Sequence, residues 1–232
     1  MKLAKLLNTT VFTGFLVVSS QTWAHQEGDV VVGLFGMIIN SELNEEPLKL
    51  TSTGFEFDGI ALSIDSQSMP AVGVTYFFTD NFAIESYLGL PPRFDVDLSG
   101  FAPLDGTVAS TQILAALAFL QYYYVVPNTL ITLHVGVGMA YAVLSDIKVD
   151  PDLYVLDPTL SFTADNSLAG AIQLGAELNV SENMTARVTY GKMKLAVDTE
   201  FATSLLGGTR LDFSTTITID PDLWLIGLAY EF

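Results

Sequence analysis

Residue types that carry enzyme chemistry are scarce in this chain of 232 residues. It has two histidines, His25 and His134, and no cysteine, so thiolate sites are excluded and a metal site built from several histidines is not supported. A Ser–His catalytic pair would depend on His134, which we interpret instead as a polar residue of a lumen or a turn. Gly136-Val137-Gly138 lacks the further glycine and the Lys-Ser/Thr of a phosphate-binding loop. We therefore expect no enzyme activity and no cofactor or metal.

Acidic residues dominate the charge of the chain. There are 26 acidic and 9 basic residues, which gives a net charge of −17. We do not expect so acidic a chain, with no basic stripe, to bind nucleic acid. The pairs Glu45-Glu46 and Asp150 with Asp152 are better explained as solvated loop charge than as catalytic dyads. A second interpretation is that their loops bind divalent cations that bridge to lipopolysaccharide phosphates.

The first 24 residues have the pattern of a removable secretory signal peptide. Lys2 and Lys5 precede a short apolar stretch over residues 11–18, and Ala24 provides a small residue at the boundary. The apolar stretch is too short to span a bilayer. We predict cleavage after Ala24, so that residues 25–232 form one exported domain.

The composition is too apolar for an ordinary soluble domain. Apolar residues make up 50% of the chain and charged residues 15%, whereas charged residues are about a quarter of a typical soluble domain. Beyond the N-terminal segment there is no run of about 18 apolar residues that could form a membrane-spanning helix. Two alternatives follow: a soluble β-sandwich or barrel with an unusually apolar core, or a membrane barrel whose apolar residues alternate along its strands.

Apolar residues alternate with small or polar ones through most of the chain, which is the period of a β-strand. Val72, Val74 and Tyr76 alternate with Gly73 and Thr75, for example. Short turns are expected at residues 79–81, 126–128 and 181–183, and longer acidic loops near 41–68, 92–108, 145–166 and 199–221. Aromatic residues near strand ends are expected at the membrane interfaces: Tyr76, Phe77, Phe78, Phe82, Tyr122, Tyr123, Tyr124, Tyr230 and Phe232.

This arrangement favours an all-β fold, an eight-stranded antiparallel transmembrane β-barrel with short periplasmic turns and long extracellular loops. A soluble sandwich would carry its charges on the outer faces of its strands, but here the charges concentrate in the loops. The predicted location is therefore the outer membrane of a Gram-negative cell, reached by export.

The same alternation predicts which side chains face the lumen. Polar residues near the short turns and the C-terminus should form a periplasmic polar plug: Glu85, Gln121, Gln173, Glu177, Arg187 and Glu231. Because an unpaired charge in a narrow lumen is unfavourable, we expect Arg187 to pair with Glu85, Glu177 or Glu231. Nearer the outside, the inward side chains are apolar and form a candidate path: Ile113, Ala115, Leu117 and Phe119.

Four segments resemble the OmpW family of outer-membrane proteins. They are His25–Asp29, Val72–Glu85 with its Thr-Asp-Asn turn, Val135–Tyr141, and the ending Asp220–Phe232. The resemblance covers the chain from residue 25 to its end and is weakest in the loops. It implies an eight-stranded barrel with a narrow hydrophobic channel, through which small apolar molecules pass sideways into the membrane by a gap in the wall.

In the family a proline pair often interrupts the strand that corresponds to residues 113–120, where this chain has Ala115-Ala116. Pro91-Pro92 at the end of the preceding strand is kept.

Leu228, Tyr230 and Phe232 resemble the terminal signature that the barrel-assembly machinery reads.

Two functions follow from these observations. The first is an outer-membrane channel for passive uptake of small hydrophobic molecules, with lateral release into the membrane. The alternative is a structural or surface-interaction barrel with a closed lumen, whose acidic loops contact a host, a phage or lipopolysaccharide. A continuous apolar cavity open to the outside would separate the first from the second.

Overall fold

The computed structural model describes residues 25–41, 43–45, 48–57, 61–99, 106–151, 161–204 and 210–232. The predicted signal peptide, residues 1–24, lies outside these ranges. None of the described residues forms a helix long and apolar enough to cross a membrane. The strands are β1 (Val30–Asn40), β2 (Leu43–Glu45), β3 (Leu48–Leu50), β4 (Phe55–Phe57), β5 (Ala61–Ile64), β6 (Gln67–Phe77), β7 (Phe82–Gly89), β8 (Arg93–Ser99), β9 (Gly106–Val125), β10 (Ile131–Val149), β11 (Ser161–Ala164), β12 (Ser167–Asn179), β13 (Met184–Thr203), β14 (Leu211–Ile219) and β15 (Asp222–Glu231).

Eight of these strands close into an antiparallel barrel. Their order around the wall is β12-β10-β9-β7-β6-β1-β15-β13, and pairing of β12 with β13 completes the circle. The first and last strands are neighbours, with Val31 opposite Glu231 in the register of β1 and β15. Closure gives each of these strands a partner on both sides, as a strand in hydrocarbon requires. The predicted fold class is therefore confirmed.

The inside and outside of the wall follow the sequence alternation. On β10, Val135 and Val137 are 54% and 61% exposed on the outer surface. His134, which has the opposite parity on the same strand, is 3% exposed. On β7, Ile84 faces outward and Glu85 is fully buried. A solvent-exposed apolar band of this extent is stable only against lipid.

The short turns are confirmed, but the long loops are more ordered than expected. Turns of four or five residues connect β6 to β7, β9 to β10 and β12 to β13. On the opposite side, β9, β10 and β13 extend beyond the closed eight-stranded part of the barrel. There β14 pairs with β13, where a loop was expected. The reason is that stretches such as Thr215 to Ile219 consist of β-branched residues, which favour strands over loops.

Two residues assigned to the interfacial aromatic girdle face the lumen instead. Phe77 and Tyr123 are 0% and 1% exposed, while their neighbours Tyr76, Tyr122 and Tyr124 lie on the outer surface. Successive residues of a strand point to opposite faces, so a run of aromatics cannot all reach the membrane. The inward rings pack against each other near the periplasmic end, with centroids 4.8 Å apart.

Candidate functional site

Arg187 is buried in the lumen and joins two carboxylates. It is on β13 and forms ion pairs with Glu85 on β7 and with Glu177 on the neighbouring β12. All three side chains are buried, at 2% exposure or less. Of the three partners predicted for Arg187, Glu85 and Glu177 are contacted directly, whereas Glu231 is not among its ion pairs.

Neutral donors complete the environment of Glu85. Thr75 donates its hydroxyl to this carboxylate at 2.8 Å, and Gln173 donates its amide at 3.1 Å. Gln121 donates to the second oxygen of the same carboxylate. Because these donors come from β6, β9 and β12, the carboxylate connects strands on several sides of the barrel. The structure thus brings five of the six predicted plug residues into one network.

His25 links the sixth residue, Glu231, to the network. Its imidazole lies 3.0 Å from Glu177 through Nε2 and 2.5 Å from Glu231 through Nδ1. The ring is 6% exposed and stacks on Phe77 with centroids 4.2 Å apart. The sequence marked His25 only as the first residue after the leader, and its role in the plug was missed. The surplus of carboxylates over Arg187 was the signal that could have found it.

Two opposing effects set the pKa of the His25 imidazole, which precedes the first strand. Burial lowers this pKa, but the hydrogen bonds and negative charges of Glu177 and Glu231 outweigh burial and raise it from 6.5 to about 9. The imidazole is therefore protonated at neutral pH and bridges the two carboxylates.

A layer of aromatic rings covers the plug on its extracellular side. Phe35, Tyr87 and Phe119 meet edge to face, with centroids 5.7 Å apart for Phe35 and Tyr87 and 6.3 Å for Tyr87 and Phe119. The Arg187 guanidinium carbon lies 5.9 Å from the centroid of the Phe35 ring, a cation–π distance. We call these three rings the aromatic floor. Together with the plug they close the lumen.

Above the aromatic floor lies an apolar cavity of about 80 Å³. Three of the four residues predicted for the apolar path, Ile113, Ala115 and Leu117, line it. Phe119 does not line it: it lies opposite Glu85 in the register of β7 and β9, and its ring belongs to the aromatic floor. Further lining residues are Met37, Met69, Phe94, Met193, Leu195, Ile219 and Leu223.

The barrel wall is interrupted beside this cavity. The pairing of β7 with β9 ends at Leu88 and Ala116, and the pairing of β8 with β9 begins at Arg93 and Gln112. In the described register no pair joins residues 113–115 of β9 to β7 or β8. Across the break, the Ile113 N–H donates to the Pro92 carbonyl at a long 3.4 Å. Pro91 and Pro92 have no N–H to donate in return.

His134 is an inward residue of the lumen near the plug. Its Nε2 lies 3.3 Å from the Thr189 hydroxyl, and its ring stacks on Tyr123 at 5.2 Å. A side chain at Gly175 would bring its Cβ within 2.3 Å of the imidazole, so the glycine makes room for this ring. The position agrees with the interpretation of His134 as a lumen residue.

The proposed assembly residues lie together on the outer surface of β15. Leu228 and Tyr230 are 51% and 45% exposed, and Phe232 directly after the strand is 76% exposed. The rings of Tyr230 and Phe232 meet edge to face at 4.8 Å.

Comparisons with known sequences identify a family and individual relatives. The OmpW family model matches residues 26–232. Outer membrane protein W of Vibrio cholerae is 26% identical over 232 residues, which cover 92% of this chain and 93% of that protein. Outer membrane protein AlkL of Ectopseudomonas oleovorans is 26% identical over 192 residues, 82% of this chain and 77% of that protein.

Solved structures share the fold. The crystal structure of the outer membrane protein OprG from Pseudomonas aeruginosa matches with a TM-score of 0.81 at 21% identity, over 91% of this chain and 99% of OprG. The solid-state NMR structure of AlkL in DMPC bilayers matches with a TM-score of 0.64 at 22% identity, over 93% of this chain and 95% of AlkL. At these identities the likeness shows the fold alone.

Proposed function

The chain belongs to the OmpW family of outer-membrane proteins, and from that premise we propose that it is a channel for passive uptake of small hydrophobic molecules. The observation that carries this proposal is the apolar cavity between the extracellular side and the aromatic floor. A small apolar molecule entering it gains about 25 cal/mol for each Å² of surface that leaves water. A molecule that buries roughly 100 Å² gains about 2.5 kcal/mol, enough to enter and weak enough to leave.

The plug makes a straight path to the periplasm unfavourable for such a molecule. Below the aromatic floor it would have to displace hydrogen bonds around Glu85 and the ion pairs of Arg187. Buried polar groups that lose their partners are strongly unfavourable. The occupant of the cavity therefore has to return to the outside or leave through the wall.

We propose that it leaves at the break between β7 and β8. Gly89, Leu90 and Pro92 at this break line the cavity, and Leu90 is 67% exposed towards the lipid. The two prolines leave few backbone hydrogen bonds to separate here. Widening this gap would connect the cavity with the outer leaflet without disturbing the rest of the barrel. The Ala115-Ala116 of β9 adds small side chains on the facing strand.

A specific observation also favours the surface-interaction barrel, the second candidate. The plug and the aromatic floor close the lumen, as expected of a barrel that transports nothing. The two candidates differ in the cavity, which only a transport function uses. A barrel that works through its loops would be insensitive to a charge placed inside the cavity.

Three partners accompany the proposed channel. Membrane lipid covers the outer apolar band, as in other outer-membrane barrels. We propose that lipopolysaccharide phosphates contact Lys192 and Lys194, which point outward from β13 towards the extracellular rim. We also propose that the barrel-assembly machinery recognises the exposed surface of Leu228, Tyr230 and Phe232.

Uptake of radiolabelled naphthalene by cells tests the function. Cells without the protein should be compared with cells that express wild type, Leu117→Asp or Leu117→Met at equal outer-membrane abundance. Leu117→Asp puts a carboxylate into the cavity and should reduce uptake to the level of cells without the protein, because an unpaired charge there attracts water. Leu117→Met keeps the volume and should transport like wild type. Equal uptake by folded Leu117→Asp would favour the surface-interaction barrel.

A further inference from the structure

A group of metal-ligating side chains lies at the periplasmic base, and none of them lines the apolar cavity. His25 and Asp29 belong to the segment before β1, and Glu231 is the last residue of β15. Each offers one ligand atom, and these three atoms lie within 4.8 Å of one another. Imidazole nitrogen and carboxylate oxygen are the ligand types that bind Zn²⁺ and similar divalent transition metals.

A small pocket opens beside two of these ligands, His25 and Glu231. It has a volume of about 10 Å³, close to that of a single water position, and His25, Glu231 and Thr185 are among its lining residues. The Thr185 side chain is 7% exposed, and its hydroxyl has no hydrogen-bond partner within the described part of the chain. Buried hydroxyls are normally paired, so this one indicates an occupant of the pocket such as a metal-bound water.

The second nitrogen of His25 already has the partner that a metal-binding histidine needs. Its Nε2 lies 3.0 Å from the Glu177 carboxylate, while Nδ1 faces Glu231. Ligating histidines commonly donate their other N–H to a carboxylate, which fixes the orientation of the ring and raises its basicity. Glu177 in turn is held by Arg187, so the orientation of the ring is linked to the plug.

The charge balance at the base also favours a cation. Arg187 is shared between Glu85 and Glu177. This leaves His25 as the cationic partner of the Glu231 carboxylate, with Asp29 close by. A divalent ion that takes the place of the imidazole proton would balance both Glu231 and Asp29.

We propose that His25, Asp29 and Glu231 bind one divalent transition-metal ion at the periplasmic base, with a water on the Thr185 side as a further ligand. Metal–ligand distances of about 2.0–2.2 Å put tetrahedral ligands roughly 3.3 Å apart, so Glu231 needs to withdraw from Nδ1 by about 1 Å. Nδ1 first releases the proton that it carries at neutral pH and then binds the metal through the freed lone pair. The ion ties the N-terminal segment to the end of β15 and holds the base of the barrel closed.

Titration with Zn²⁺ tests the site. The protein should be exported and processed by cells, extracted from the outer membrane without a polyhistidine tag, stripped with EDTA and titrated by calorimetry. Wild type should bind one equivalent. His25→Gln and Glu231→Gln should weaken binding by about tenfold or more. Glu27→Gln, the matched control, removes an exposed carboxylate of the same segment that is outside the ligand group, and should bind like wild type.

Three further results decide the proposal. X-ray absorption of the Zn²⁺-loaded protein should show an imidazole among nitrogen and oxygen ligands. If His25→Gln does not assemble, Asp29→Asn must still weaken binding, because it changes a ligand at the surface of the group. Absence of stoichiometric binding to wild type, unchanged binding in the ligand variants, or a spectrum without imidazole would overturn the site.

Discussion

Replacing Arg187 by methionine removes the cation that two buried carboxylates share while keeping an unbranched side chain in place. Glu85 would retain its neutral donors Thr75, Gln121 and Gln173. Glu177 would retain His25. Neither carboxylate is more than 1% exposed, so water cannot solvate the charge that loses its partner.

The expected loss of stability follows from this burial. Breaking a buried ion pair by removing one partner is destabilising by about 3–5 kcal/mol. The lower end applies because the neutral donors remain, and about 3 kcal/mol corresponds to a factor of roughly 150 in the folding equilibrium. Adding Glu85→Gln removes the orphaned charge, so the double variant should be less destabilised than the sum of the single variants by about 1–2 kcal/mol.

Urea unfolding in lipid vesicles measures these free energies, with the fluorescence of Trp224 as the reporter because its side chain lies on the lipid-facing surface. Measuring Glu85→Gln alone as well completes the double-mutant cycle for Arg187 and Glu85. A stability of Arg187→Met within about 0.5 kcal/mol of wild type would show that Arg187 does not hold the plug together. Strict additivity of the two substitutions would contradict the direct pairing of Arg187 with Glu85.

The remaining predictions concern the wall, assembly and pH. Val137→Arg puts a charge against lipid near the middle of β10 and should lower the unfolding free energy by about 2–4 kcal/mol, and unaltered refolding in bilayers would refute its outward position. Deletion of Phe232 should reduce the barrel's outer-membrane abundance, which heat-modifiable gel migration detects; unchanged abundance argues against an assembly role. The His25 imidazole has a pKa of about 9 in the folded protein, against 6.5 in the unfolded chain. The free energy by which the protonated ring stabilises the fold is therefore fully present below pH 6.5 and is lost as pH rises through 9. Unfolding free energies measured in EDTA should fall over that window, and His25→Gln should flatten the change.

The facing of the wall residues was predictable because strand alternation is local. Val137 and His134 occupy odd and even positions of one strand. Because alternate residues face the same side, a strand whose odd positions are apolar shows which side faces lipid. The inward position of Glu85 and Arg187 followed from the same rule. Which carboxylates Arg187 contacts depended on register: Glu177 is its neighbour across β12 and β13, while Glu85 reaches it across the lumen.

The features that the sequence did not predict depend on contacts between residues that are distant in sequence. His25 enters the plug because the turn after it is anchored to β6, where the Gly28 N–H donates to the Phe77 carbonyl at 2.8 Å. Nothing in the local pattern marks that anchor. The pairing of Phe119 with Glu85 places Phe119 outside the cavity lining, and it could not be predicted for the same reason. Strands beyond the barrel wall were missed because acidic residues on them resembled loops.

The absence of cysteine from the chain allows a direct test of lateral release with a disulfide across the wall. Leu88 and Ala116 are opposed at the edge of the break, and their side chains face outward. Opposed residues of antiparallel strands have Cα atoms about 4.5–5.5 Å apart, within the range of a disulfide. Met139 and Ala118 form a matched control pair across β9 and β10, away from the break.

Naphthalene uptake should therefore be measured in cells that carry Leu88→Cys with Ala116→Cys, under oxidising and reducing conditions and at equal abundance. Lateral release predicts slow uptake when the pair is oxidised, recovery after reduction, and no redox effect with Met139→Cys and Ala118→Cys. Equal uptake by the oxidised and reduced forms of the first pair would show that hydrophobic molecules do not leave through this wall.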